Sequence, residues 1–95
     1  MNQANRELKH AWKSEQRALA RSAFPLTNDL LASLFNFVEN SVDTSGCDHS
    51  RRFTEEWLTS NHVAPKPVLD WLESNGGYCD CEAVVNVMQH WEENR

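Results

Sequence analysis

Residues 28–42, NDLLASLFNFVENSV, decide the fold class. Leu30, Leu31, Leu34, Phe35, Val38 and Val42 recur at the i, i+3, i+4 rhythm of one helix face. Thr27 or Asn28 can cap the first amides, and Asp29 suits the positive end of the helix dipole. The spacing predicts a helix at the centre of the core, broken at Asp43-Thr44-Ser45-Gly46.

The same periodicity extends outward on both sides. Upstream, residues 3–22 carry Leu8, Ala11, Trp12, Ala18 and Leu19 on a narrow apolar stripe interrupted by Glu15. Lys9, Lys13, Arg17 and Arg21 form a basic stripe at i+4 spacing, and Pro25 prevents continuation. Downstream, a helix over 49–60 is expected with Asp48 or Ser50 as cap and Phe53, Trp57 and Leu58 inward. Asn61-His62 ends it. Another covers 65–74, with Pro65 and Pro67 in its first turn and Val68, Leu69, Trp71 and Leu72 apolar. Asn75-Gly76-Gly77 stops it. The last covers 81–93, capped by Asp80, with Val84, Val85, Met88 and Trp91 on one face. Val84, Val85 and Val87 are β-branched, but the cap and the continuation to Trp91 favour helix. No segment alternates strictly. The fold class is all-α, about five short helices.

Ninety-five residues make a small domain, divided here into a basic helix (1–23) and a helical metal-binding body (24–95). So small a core gains from a staple such as a metal. The net charge of −5 is uneven. Residues 1–23 hold five basic and two acidic side chains, a net +3; residues 24–95 hold four basic and twelve acidic, a net −8. An acidic body argues against a general nucleic-acid binder and leaves only a local contact through the basic helix open. No apolar run approaches a membrane span, and the polar N-terminus is no secretory signal. The expected location is the cytoplasm.

The chemistry lies in two matching clusters, Cys47-Asp48-His49 and Cys79-Asp80-Cys81. An odd number of cysteines in a reducing compartment argues against a disulfide framework. Cys47, His49, Cys79 and Cys81 are the complement of a closed Cys₃His zinc site. If each Asp caps a helix, the ligands lie at two helix N-termini, whose dipoles favour thiolates. An iron–sulfur cluster on the same ligands is the minority reading. The alternative to ligation makes Cys47 and Cys81 small buried hydrophobes and His49 a surface residue. A catalytic thiol at Cys79 or Cys81 would need a base from His49, His62 or His90. A catalytic zinc would need His49 absent from the ligand set, with Asp80 or Glu82 as base. His62 is expected at a helix end, His10 and His90 in solvent, Arg51 and Arg52 on a solvated face, and the four Trp in the core.

The stretches GCDHSRRFTEEWL and WLESNGGYCDCEAVVNV resemble a family of small bacterial proteins known only as a domain of unknown function, numbered two-six-nine-five. The shared pattern covers Cys47-Asp48-His49, Trp57-Leu58, Trp71-Leu72, Gly76-Gly77-Tyr78, Cys79-Asp80-Cys81-Glu82 and Asn86-Val87. Ala83-Val84 stands where the family tends to carry Val-Leu, a packing change that leaves the ligands intact. The resemblance implies a cytoplasmic bacterial protein without assigned activity. The expected function is that of a small structural-zinc protein acting as a binding or regulatory module. A zinc- or thiolate-dependent enzyme and a nucleic-acid contact through the first helix are the rival readings. Leu8, Trp12 and Leu19 would serve a protein partner or a homodimer.

Overall fold

A computed structural model describes the backbone of residues 3–95 and the side chains of residue 9 and residues 11–95. Leu8 and His10 therefore lie outside the described side chains. The described chain is all-helical: α1 (Gln3–Ser22), α2 (Asn28–Ser45), α3 (Arg52–Ser60), α4 (Pro65–Ser74), α5 (Asp80–Glu82), a π-helical stretch (Ala83–Met88) and α6 (Gln89–Asn94). The last three run on as one rod, because the junction residues keep right-handed helical dihedrals.

α2 is the spine, with Leu31, Leu34, Phe35 and Val38 buried against α3, α5 and the π-helical stretch. Thr27 caps it, accepting from Leu30 N. It runs beyond the expected break at Asp43 to Ser45. There Gly46, at φ 77°, donates its N–H to Val42 O. Leu30, expected on the apolar face, is 37% exposed. Trp57 and Trp91 bury their indoles and tie their N–H groups to α2, through Ser33 Oγ and Asn28 Oδ1. Trp71 is also buried, under Phe24 and Phe35, but among the described residues its Nε1 has no partner. Trp12 departs from the expected core placement and is 62% exposed. His90, expected in solvent, is half-buried beside Trp71.

The π-helical stretch corrects the expected inner face of the last helix. Ala83, Val87 and Trp91 are buried, whereas Val85 is 64% exposed. Residues four apart drift around an ordinary α-helix. The wider i→i+5 turn holds them closer to one line.

α3 and α4 end in one pattern that the sequence reading passed over. Trp57-Leu58-Thr59-Ser60-Asn61 and Trp71-Leu72-Glu73-Ser74-Asn75 are near copies. Each Asn donates Nδ2 to the carbonyl of its Trp, at 2.9 Å in both. Each is followed by a left-handed residue, His62 at φ 56° and Gly76 at φ 85°. Val63 N then bonds Leu58 O and Gly77 N bonds Leu72 O, the 6→1 bonds of Schellman caps. The left-handed region is costly for a residue with a Cβ and nearly free for glycine. His62→Gly should therefore raise stability by up to about 1 kcal/mol, read as a shift in the urea midpoint.

The Gly76-Gly77 turn docks on the last rod. Asn86 Nδ2 donates to Gly76 O at 3.0 Å. A Cβ on Gly77 would lie 2.8 Å from Val87 Cγ2 and 3.1 Å from Leu72 O. Gly77→Ala should cost about 1–3 kcal/mol by overpacking. Adding Val87→Ala should recover less than Val87→Ala alone would lose, a coupling that a double-mutant cycle measures.

Candidate metal centre

Cys79 follows the Gly-Gly turn as N-cap of α5, and Cys81 is that helix's second residue. Cys47 comes from elsewhere, directly after the Gly46 stop of α2. The sulfurs of Cys47, Cys79 and Cys81 lie within 4.8 Å of one another, and all three are free thiols. A tetrahedral zinc with bonds of about 2.3 Å holds its sulfurs about 3.8 Å apart, so closure on an ion needs shifts of about 1 Å or less. Cys79 is buried, Cys47 half-buried and Cys81 exposed, so the cluster opens to solvent on one side.

The two loops are locked by Asp80, expected from its place in the sequence to cap its own helix. Its backbone N–H donates to Ser50 O at 3.0 Å. Its carboxylate reaches across to α3, accepting from Phe53 N (3.0 Å), Thr54 N (3.1 Å) and Thr54 Oγ1 (2.7 Å). Asp80 is thus the cap of α3 supplied from a distant part of the chain. Neither expected cap performs that task. The residue at the N-cap position is Arg51, whose side chain makes no capping bond, and α3 starts at Arg52. Asp48 instead accepts from the N–H and hydroxyl of Ser50, which hold its carboxyl below the usual range.

His49 is accordingly not at a helix start. It is exposed, at φ 68°, and its backbone N–H points at Cys47 Sγ at 3.4 Å. Its imidazole is not among the donors brought together. Of Arg51 and Arg52, both expected on a solvated face, Arg52 is exposed and Arg51 is half-buried. Arg51 pairs with Glu73 at 3.0 Å, and Arg52 reaches Asp48 and Gly46 O, beside Cys47.

The three thiols differ. Burial opposes ionisation of Cys47, but the N–H groups of Cys81 and His49 and the neighbouring thiols hold it below the ordinary value. Burial pushes Cys79 up to about 11, aided by Cys47. The hydrogen bond to Cys47 and its charge raise Cys81. At pH 7 an incoming metal must displace the protons of Cys79 and Cys81, so affinity should rise with pH. Calorimetric titration in two buffers of unlike ionisation enthalpy should show about two or more protons released per metal.

The family described as protein of unknown function (DUF2695) matches residues 34–86, a stretch that holds all three cysteines, Asp80 and the Gly-Gly turn with Asn86. The chain belongs to this family. It is 32% identical over 82 residues to the uncharacterized proteins Rv2271 of Mycobacterium tuberculosis and Mb2294 of Mycobacterium bovis, covering 86% of this chain and 83% of each relative. No solved structure matches. Among the described residues no helix is long and apolar enough to cross a membrane.

Proposed function

We propose that the chain is a structural-zinc protein of the cytoplasm that serves as a binding or regulatory module. One observation carries this: three thiols from two separate parts of the chain converge without forming a disulfide. Soft donors at this spacing suit zinc, and a reducing compartment keeps them free to bind it. His49 is the fourth ligand in this reading. What supports it is proximity in the chain, since His49 lies two residues from Cys47 and its backbone N–H meets Cys47 Sγ at 3.4 Å; ligation requires its imidazole to join the three sulfurs. When bound, the metal supplies a cross-link between the end of α2 and the start of α5.

Native mass spectrometry of protein purified without added metal should show one zinc per chain. Cys81→Ser should lower the affinity by at least about 10-fold, the scale on which even outer-shell changes act at such sites. Protein that stays metal-free in the presence of zinc, with three freely titratable thiols, would sink the reading.

That the cluster holds three sulfurs without the His49 imidazole favours a second reading, a site with one open position and hence a catalytic metal. Cobalt substitution separates the two. A spectrum that an added anion cannot perturb until His49→Ala is made supports the closed site. Immediate perturbation of the unaltered protein supports the open one.

A further inference from the structure

α1 is a helix of 20 residues whose sides, from Lys9 to Leu19, are exposed apart from His10, which is not described. Among the described residues it meets the rest of the fold chiefly at α6, where Arg21 Nε donates to Asn94 O at 2.7 Å. Trp12 and Leu19 are 62% and 57% exposed. A helix so solvated gains little from the body, and in proteins most helical stability comes from packing an apolar face rather than from propensity. Its two flanks differ. Lys9, Lys13 and Arg17 lie on one side of the Trp12–Leu19 seam, and Ala11 and Ala18, with Glu15 between them and the seam, lie on the other. None of the three cations has an ion-pair partner among the described residues.

The body carries a surface of matching asymmetry. An open groove of about 450 Å³ runs between α2 and α3. Phe37 and Phe53 supply its apolar lining, one face of the Phe53 ring lying 4.4 Å under the Arg52 guanidinium. Asn40, Ser41 and Thr44 make a neutral rim on α2, and Glu56 makes an acidic rim on α3. Glu56 is exposed and, among the described residues, has no cationic partner.

We propose that α1 of one chain docks in the α2–α3 groove of a second copy, giving a reciprocal two-fold dimer. Trp12 seats over Phe37 and Phe53, the basic flank faces Glu56, and the alanine flank faces the neutral rim. The complementary charges, +3 on residues 1–23 and −8 on residues 24–95, draw unlike parts of two copies together. Two-fold symmetry makes the contact twice, which doubles the area that one helix could bury. The arrangement does not depend on what the cysteines bind.

Sedimentation equilibrium of the full chain with its native metal content, from about 1 to 100 μM, tests it. A monomer–dimer equilibrium is expected whose dimer weakens several-fold between low and high salt. Trp12→Ala should weaken it at least about 30-fold, as for a central aromatic anchor, and an exposed residue can be changed without loss of the fold. Glu56→Lys and Lys13→Glu should each weaken it about 5-fold or more, and the two together should restore it. A chain monomeric throughout the range overturns the proposal. So does a dimer indifferent to Glu56→Lys, which would mean that α1 packs on another α1, and so does a charge-swapped pair without recovery.

Discussion

If the proposed zinc is bound, chelating it should lower the melting temperature by about 20 °C or more. Structural zinc contributes apparent energies of about 10–16 kcal/mol in small domains, against total stabilities of about 5–15 kcal/mol. Even a loss of about 5 kcal/mol moves the midpoint of a domain this size by about 20–40 °C. The geometry says where the loss falls. The cysteines join the residue after α2 to the first turn of the last rod. Without the cross-link, that rod is held by Ala83, Val87 and Trp91 and by the bonds of Asp80 and Asn86. Differential scanning calorimetry before and after verified metal removal measures the shift. An unchanged melt would mean that the metal is not structural.

Asp80→Ala should cost about 3–5 kcal/mol, since it strands two amides and a hydroxyl of α3, with an unmet buried group costing about 1–3 kcal/mol. Asp80 is 1% exposed and Thr54 equally so, which leaves water little access to repair the loss. Asp80→Asn should lose less. Its oxygen can still accept from Thr54, whereas its amide nitrogen would face the N–H of Phe53. Urea unfolding of the metal-loaded variants gives both values. A loss for Asp80→Ala within about 1 kcal/mol of zero would remove this carboxylate from the list of groups that hold the fold.

The helices were legible because each carries its apolar residues at helical spacing between strong punctuation. The 65–74 segment, between Pro65 and Asn75-Gly76, matches α4 at both ends. α3 was misplaced at its start because its cap is a residue far along the chain, and local rules look only at neighbours such as Asp48 and Ser50. The turn of Val85 toward solvent was hidden for a related reason. A π-helical register depends on what Gly77 and Asn86 pack against, not on periodicity. Helical spacing puts Trp12 on an apolar stripe but does not say whether the core or a partner covers that stripe. At the site, the three cysteines were found by their clustering. Spacing could not show that His49 lies in a left-handed loop with its ring outside the sulfur cluster. The repeated Trp-Leu-X-Ser-Asn was visible in the letters and is explained only by the two matching Schellman caps.

The capping of α3 by Asp80 has a consequence for the order of events at the ribosome. Synthesis proceeds from the N-terminus, at about 5–20 residues per second. A nascent chain that has emerged only as far as Tyr78 possesses every residue of α2, α3 and α4. It still lacks the carboxylate that closes α3 and two of the three sulfurs. The acceptor for the α3 amides and the metal pincer arrive together, in the three residues Cys79-Asp80-Cys81. The α3 cap therefore closes late, the core residues Ala83, Val87 and Trp91 follow it, and a chain truncated before residue 79 is expected to be cut faster in limited proteolysis than the full chain.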